Sequence, residues 1–370
     1  MIRKVYSDFL REKISKKEFR WILSRGIQYV LTFASFMVQR PLCGPILGTL
    51  VTNYRCNYRC TMCDLPQRDR ELQAKGLREL DTAQMKKILD DFALLGTSGI
   101  GFTGGEPLLR TDIFELLSYA KARGMISHLN TNGFFLDEEN AHRIVEAKVD
   151  SINISLDGAR PGTHDRIRGS SGAFGRAVDG IGRLIAARKK AGALLRIKTV
   201  AVISEDNVDE VEDMVTLARD LKVDCIEFIP RQTFLSTGGE AARVDPVFLG
   251  KIDAMTRGLL DGTPKGVKIE NSAAHLRLFN RSFRNVDSPL RCFAGYNSLA
   301  VDCYGEIYPC VPWYNWRHAV GNIARQDLRR FWFSAEYNRV RKEIAGCRKC
   351  YLNCQAELNI LFNPFSDAVK

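Results

Sequence analysis

A chain of 370 residues is long enough for a full hydrophobic core, and this length predicts about two domains. Apolar residues make up 45% of it and charged residues 26%, which excludes a disordered chain and a fibrous repeat. Eleven cysteines without a secretion signal argue against a disulfide framework and favour metal ligation in a reducing compartment. We therefore expect a cytoplasmic, globular, metal-binding protein.

The first 45 residues carry a concentrated positive charge. The formal charge of the protein is +11, and nine Lys or Arg against three acids in residues 1–40 supply about half of it. Apolar residues recur there at helical spacing among the basic ones, which predicts a basic amphipathic helix: Ile2, Val5, Tyr6, Phe9 and Leu10. The uncharged run that follows, GIQYVLTFASFMVQ, is too short to span a membrane. Two interpretations stay open: helices packed on the main domain with a solvated basic face, or peripheral docking on a membrane or a partner.

From residue 46 onward, short apolar runs alternate with helical patterns. Six runs are predicted strands: 48–53, 99–104, 126–132, 151–158, 195–203 and 224–230. A helix between them, TDIFELLSYAKARG, has a candidate cap at Thr111 or Asp112 and a stop at Gly124. Strands spaced by about 25 to 40 residues predict βα units around a parallel sheet, as in a β/α barrel or part of one. In such folds the active site lies at the carboxyl ends of the strands.

Three cysteines directly follow the first predicted strand. Cys56, Cys60 and Cys63 have the spacing C-x3-C-x2-C. A structural zinc site needs four ligands, usually from two separate C-x2-C pairs, so three thiols in one loop leave a position open. A 4Fe–4S cluster held by three thiolates has one iron left for a small molecule with an amine and a carboxylate. A zinc site that borrows a distant fourth ligand is the alternative.

The ends of the next strands carry residues that suit such a small molecule. Gly104, Gly105 and Glu106 close the second strand in GFTGGEPLL. Glycines let a backbone approach a ligand closely, and a carboxylate accepts well from an amino group. Asn132 ends the third strand in NTNG, and Ser155 ends the fourth in NISLDG.

In this order the motifs resemble those of the radical S-adenosylmethionine (SAM) superfamily. The resemblance implies an α/β fold, a partial (β/α)6 TIM-like barrel, with a 4Fe–4S cluster on the three cysteines. It implies that SAM is held by Gly104, Gly105, Glu106, Asn132 and Ser155, and that Arg168 in HDRIRG pairs with its carboxylate. The implied chemistry is reductive cleavage of SAM, followed by hydrogen abstraction from a substrate by the 5′-deoxyadenosyl radical. A one-electron donor such as flavodoxin or ferredoxin is an implied partner.

A second group of cysteines lies near the C terminus: Cys292, Cys303, Cys310, Cys347, Cys350 and Cys354. With the GNI…W connection, the group resembles the SPASM or twitch extension of the same superfamily, a small α+β domain. Four thiolates suffice for one auxiliary 4Fe–4S cluster. The expected ligands are Cys292, Cys310, Cys347 and Cys350, with Cys354 as the leading substitute. Cys303 is a spare ligand or a core residue, and a zinc ribbon is the alternative for the whole domain.

These assignments divide the chain into five segments. They are basic N-terminal helices at 1–45, the barrel at 46–232, connecting helices at 233–290, the auxiliary-cluster domain at 291–358 and a tail at 359–370.

The sequence leaves the substrate open among a peptide, a small metabolite and a membrane-associated molecule. Sulfatase-maturing relatives carry an acid after the cysteine that corresponds to Cys310, but Val311 stands here, which argues against sulfatase maturation. No catalytic base is assigned. The alternative to an enzyme is a non-catalytic metal-binding adaptor, which Glu106 opposes because an adaptor needs no acceptor for the SAM amine. Specific nucleic-acid binding is not expected, since basic and aromatic residues do not alternate beyond the N terminus.

Overall fold

The computed structural model describes residue 14 and residues 19–74, 76–232, 245–262, 266–316, 319–364 and 366. The helix predicted around Ile2 to Leu10 lies outside these residues, as does most of the Gly-containing stretch that follows the sixth predicted strand. Among the helices in the described ranges, none is long and apolar enough to cross a membrane.

The centre of the structure is a set of six parallel strands. They are β1 (Leu47–Val51), β2 (Gly99–Thr103), β3 (Ile126–Thr131), β4 (Ser151–Ser155), β5 (Arg196–Ile203) and β6 (Cys225–Pro230). The helices before and between them are α1 (Phe19–Met37), α2 (Leu65–Ala74), α3 (Thr82–Leu94), α4 (Ile113–Ala122), α5 (Glu138–Glu146), α6 (Pro161–Arg168), α7 (Ala173–Ala191) and α8 (Val211–Asp220). Short 3-10 turns occupy Pro107–Leu109 and Val208–Glu210. All six strand predictions are confirmed, and the alternation with helices produces the expected partial barrel.

The rest of the chain extends this sheet at both edges. After β6 come α9 (Pro246–Asp261), β7 (Lys268–Ile269), α10 (Ala273–Arg277) and α11 (Phe279–Phe283). They are followed by β8 (Ser298–Val301), β9 (Glu306–Tyr308), α12 (Val311–Trp316), β10 (Gly321–Asn322), α13 (Leu328–Trp332), α14 (Ala335–Ala345) and α15 (Asn353–Phe362). The strand order is β10-β9-β8-β1-β2-β3-β4-β5-β6-β7. Strand β8 pairs in parallel with β1, so the C-terminal cysteine region continues the barrel sheet.

Side chains on the two faces of the central strands have different surroundings. Leu129, Ile152 and Ile197 point outward beneath the helices and are fully buried. Burial of a side chain of this size stabilises the fold by about 1.5–3 kcal/mol. The alternate positions point into the barrel, where Asn130 and Asn153 keep part of their surface exposed. The helices therefore cover an apolar outer face, while the inner face is polar and partly open.

The helix caps follow the sequence in one place and depart from it in another. Asp81 and Gln84 form a reciprocal capping box at the start of α3. Asp112 occupies the N-cap position of α4, as one of the two candidates, but its side chain makes no capping hydrogen bond. It accepts from Arg110 and Thr82 instead, because both lie within reach at the carboxyl end of β2.

Candidate active site

The loop after β1 holds three thiols next to hydrogen-bond donors from distant parts of the chain. Cys56 accepts from the backbone N–H of Tyr58 at 3.4 Å, and Asn132 Nδ2 lies 3.8 Å from the same sulfur. Arg168 Nη1 lies 3.8 Å from Cys60 Sγ. Cys56 and Cys60 are half-buried, and Cys63 is exposed, so the loop has one open side. N–H donors near sulfur stabilise thiolates, which are the form that binds metal.

The Gly-Gly-Glu segment after β2 lies directly against this loop. Gly105 N donates to Asn53 O at 2.9 Å, and Glu106 N donates to Arg55 O at 2.8 Å. A Cβ atom on Gly104, whose φ is +147°, would lie 2.2 Å from Asn53 O. One on Gly105 would lie 2.1 Å from Arg55 O. Both glycines are therefore required for a backbone-to-backbone contact that fixes the cysteine loop, in addition to any contact with a ligand.

The Glu106 side chain is fully buried and joins the ends of β2 and β3. Its Oε1 accepts from Leu108 N at 3.0 Å and from the Thr131 hydroxyl at 2.8 Å, and its Oε2 accepts from Asn132 N at 2.7 Å. Burial raises the pKa of Glu106 to about 7, although these three donors lower it. The carboxylate is thus bonded to protein groups here, and contact with a ligand amine stays a prediction.

Asn132, Ser155 and Arg168 lie at strand or helix ends on the same side of the barrel. Asn132 Nδ2 donates to Asn57 Oδ1 at 2.8 Å, within the cysteine loop. Ser155 is the last residue of β4 and is half-buried. Arg168 ends α6, and its Nε lies 2.5 Å from Asp157 Oδ2. Burial lowers the pKa of Arg168, but Asp157 and the Cys60 thiol more than offset this and raise it. The guanidinium is therefore cationic beside the cysteine loop.

Asp157 and Asn207 lie at or just after the ends of the fourth and fifth predicted strands, positions that match the family pattern, but neither was counted among the predicted SAM-binding residues. Asp157 is fully buried, pairs with Arg168 and accepts from Val202 N at 2.8 Å. Asn207 donates to Asp157 O at 2.8 Å and so holds the end of β4 against the loop after β5. His164 accepts from Asp157 N at 3.0 Å.

Four of the six C-terminal cysteines lie together. Burial raises the pKa of Cys310 well above its usual value, and the thiols of Cys292, Cys350 and Cys347 raise it further. Burial likewise raises the pKa of Cys350, to which Cys354, Cys292 and Cys347 contribute, and that of Cys292 to about 12, to which Cys347 contributes. Each of the six pairs within this set thus interacts electrostatically. Buried thiols without a cation stay protonated, so this arrangement suits a metal centre that would ionise them.

The remaining two cysteines of the C-terminal group differ from these four. Cys354 interacts with Cys350, and its own pKa is raised to about 12 by burial and by Glu227. Cys303 lies in the β8–β9 hairpin, where burial raises its pKa together with Asp302 and two other acids rather than other thiols. Its surroundings are those of a core residue.

Within the described part of the chain, no three Cys, His, Asp or Glu side chains converge on one point as the ligands of a single metal ion would.

Comparison with known proteins agrees with this geometry. The family model of the radical SAM superfamily matches residues 50–218, and that of the SPASM iron–sulfur cluster-binding domain matches residues 292–354. The chain belongs to the radical SAM superfamily. It also carries a SPASM domain, as the cysteine spacing predicted. A radical SAM domain implies SAM and a 4Fe–4S cluster, and a SPASM domain implies auxiliary cluster binding.

Several curated relatives resemble this radical SAM protein. An AdoMet-dependent heme synthase of Methanosarcina barkeri is 28% identical over 76% of this chain and 80% of its own length. PqqA peptide cyclase of Gluconobacter oxydans is 29% identical over 70% of this chain and 67% of its own. Fe-coproporphyrin III synthase of M. barkeri is 39% identical over 34% of this chain, but the match spans only 31% of that protein. This chain is likewise a radical SAM enzyme, and the adaptor alternative has no support among these relatives.

Solved structures share the fold. Streptococcus suis SuiB bound to the precursor peptide SuiA has a TM-score of 0.64 and 16% identity, covering 91% of this chain and 80% of that one. The protein anSMEcpe with bound AdoMet has a TM-score of 0.58 and 17% identity, covering 86% and 97%. At these identities the similarity establishes the partial barrel with its C-terminal extension.

The inner face of the barrel carries a row of hydrogen-bonding side chains. The strand register places Asn130 beside Asn153, and Asn153 beside Lys198. Asn153 Nδ2 donates to Asn130 Oδ1 at 3.0 Å. Lys198 Nζ lies 3.8 Å from Glu227 Oε2, and Glu227 Oε1 accepts from Asn353 Nδ2 at 2.7 Å. The layers inside a complete TIM barrel consist mostly of Val, Ile and Leu, so the polar inner row of this chain differs from a packed TIM-barrel interior.

We expect Lys198→Met to lower the free energy of unfolding by about 3 kcal/mol, because it leaves the Glu227 carboxylate buried without its cation. Both side chains of the pair are at most 2% exposed. The double variant Lys198→Met/Glu227→Gln removes both charges, and its amide oxygen can still accept from Asn353. Measured by urea unfolding, the double variant should recover most of the free energy of unfolding that the single variant loses. A single variant as stable as the double one would contradict a buried ion pair.

Proposed function

We propose that this radical SAM enzyme takes a hydrogen atom from a peptide bound on the polar inner face of its barrel. When bound, SAM and a cluster on Cys56, Cys60 and Cys63 supply the 5′-deoxyadenosyl radical by reductive cleavage of the sulfonium bond. The ends of β2 to β4 hold SAM, with Arg168 providing positive charge beside the loop. A small one-electron carrier such as flavodoxin or ferredoxin provides the electron.

An auxiliary cluster on Cys292, Cys310, Cys347 and Cys350 completes the proposal. Support comes from the mutual electrostatic interaction of these four thiols. Backbone N–H groups also point at them, as that of Trp313 does at Cys310 and that of Leu352 at Cys350. One cluster accounts for all four ligands, with Cys354 beside it.

The observation that carries the peptide assignment is a set of buried acceptors without partners. Asn153 Oδ1 and Asn353 Oδ1 are buried, and neither accepts a hydrogen bond. Buried acceptors in this condition are costly unless a ligand or water donates to them. A peptide main chain offers regularly spaced N–H donors. A tetrapyrrole, the alternative suggested by the name of the heme synthase relative, is mostly an apolar ring. PqqA peptide cyclase, a relative over 70% of the chain, is named for a peptide.

Deuterium transfer into 5′-deoxyadenosine tests the substrate class directly. Extract from producing cells grown on deuterated medium is separated into a peptide fraction and a small-molecule fraction, and each is given to the reduced enzyme with unlabelled SAM. We expect the 5′-deoxyadenosine to gain mass only with the peptide fraction, and protease digestion of that fraction should abolish the gain. A gain confined to the small-molecule fraction would overturn the peptide assignment while leaving radical formation intact.

A further inference from the structure

Helix α1 packs on the body of the protein through buried polar side chains and, beside them, two stacked aromatic rings. Gln28, Thr32 and Ser35 are at most 8% exposed. Gln28 Nε2 donates to Gly96 O at 3.0 Å, and its Oε1 accepts from the Ser98 hydroxyl at 2.8 Å. Ser35 Oγ accepts from Leu42 N at 2.8 Å. These bonds fix the rotation of the helix about its own axis.

The outward face of the same helix is apolar. Six side chains are between 38% and 66% exposed: Phe19, Leu23, Ile27, Val30, Phe33 and Met37. Their spacing of three or four residues places them on one stripe along the whole helix, within an arc of roughly 120°. Val38 and Leu42 extend the exposed apolar surface beyond the helix end. Tyr29 and Phe36 lie between the two sides of the helix and stack on Phe362 and Phe293. The fully buried side of the helix is therefore polar, and the stripe that faces outward is apolar.

Rotating α1 about its own axis cannot bury the apolar stripe without loss of other contacts. Rotation that buried the stripe would break the hydrogen bonds of Gln28 to the loops before β1 and β2 and the stacking of Phe36 on Phe293. A contiguous exposed apolar surface of this kind indicates contact with a partner or a membrane. The partner surface must therefore be apolar where it meets the stripe.

The positive charge of the sequence around the stripe favours an anionic partner. No acidic residue occurs from Phe19 to Cys63, and residues 1–40 hold nine basic residues against three acids. Arg40, just after the helix, is exposed. An interfacial helix of this composition binds membranes that carry anionic lipids, through apolar burial and electrostatic attraction together. We propose that the outward face of α1 lies in the surface of an anionic lipid bilayer.

The position of α1 keeps such contact away from the candidate active site. Gln28 Nε2 donates to Pro45 O and Gly96 O, which lie before the amino ends of β1 and β2. The cysteine loop lies at the carboxyl ends of the same strands. A helix of 19 residues lying flat would cover about 28 Å of membrane surface. Docking therefore leaves the catalytic end open.

Vesicle flotation of the full-length protein tests this proposal without requiring a cofactor. The vesicles contain phosphatidylcholine alone or with roughly 30% phosphatidylglycerol, at about 0.1 M salt. The variant Leu23→Glu/Val30→Glu alters two side chains that are 66% and 63% exposed. Its matched control, Leu194→Glu/Val247→Glu, makes the same two changes at positions 77% and 66% exposed elsewhere. Both variants change the net charge equally.

We expect wild type and control to float with the anionic vesicles, and the α1 variant to bind about a hundredfold more weakly. Higher salt and neutral vesicles should both weaken binding. Failure of the wild type to bind, or equal binding by the α1 variant, would overturn the proposal. So would a wild-type dimer that the α1 variant converts to a monomer, because the stripe would then join two copies. SAM cleavage is independent of each of these results.

Discussion

Replacing Cys60 by alanine is expected to reduce SAM cleavage to the background rate. Cys60 is the middle thiol of the C-x3-C-x2-C loop, and Arg168 lies 3.8 Å from its sulfur. A cluster with three protein ligands already has one iron open, so the loss of another ligand removes the electron path to the sulfonium. The measurement is 5′-deoxyadenosine formed from SAM and dithionite by the anaerobically reconstituted protein.

The comparison with Cys347→Ala gives this prediction its control. Cys347 belongs to the separate C-terminal group, so its loss should lower bound iron from about eight atoms per chain to about four and leave uncoupled SAM cleavage largely intact. Cys303→Ala should retain about eight, because Cys303 lies among acids rather than thiols. Equal loss of cleavage in folded Cys60→Ala and Cys347→Ala proteins would disprove this division between the two groups.

The parts of the fold that could be predicted from sequence are those fixed by local pattern. Strands β1 to β6 are apolar runs separated by helical periodicity, so their places follow from hydrophobic spacing. The Cys56 loop and the Gly104–Glu106 segment follow β1 and β2, and parallel strands bring their carboxyl ends to one edge. The nearness of these two segments could therefore be expected, but their direct backbone hydrogen bonds could not.

Other features depend on contacts that no local pattern encodes. Asp157 and Arg168 pair because α6 returns over the end of β4. From the sequence, the only predicted partner of Arg168 was the carboxylate of SAM. Strand β8 was missed as part of the barrel sheet because its pairing with β1 joins residues about 250 positions apart. The outward apolar stripe of α1 was missed because the helix is held by polar contacts with the loops before β1 and β2.

A methyl group on Gly105 is expected to reduce both cluster assembly and SAM cleavage. The Cβ atom of Gly105→Ala would lie 2.1 Å from Arg55 O and 2.6 Å from Tyr54 O, both backbone atoms that no rotamer change can move aside. The Cys56 loop would have to retreat by about 1 Å, and displacement of that size costs about a hundredfold in rate at a reacting centre. The hydrogen bonds that join Gly105 to Asn53 and Glu106 to Arg55 would break with it.

Gly182→Ala is the matched control, since a Cβ atom at that position in α7 meets nothing within 4 Å. The same substitution there should leave iron content and cleavage unchanged and slightly stabilise the helix. Because Gly105 acts on the cysteine loop through the backbone, its alanine variant should lose iron as well as cleavage. Retention of full iron with loss of cleavage would instead assign Gly105 a direct contact with SAM, whereas normal values of both would mean that the loop can move without cost to the site.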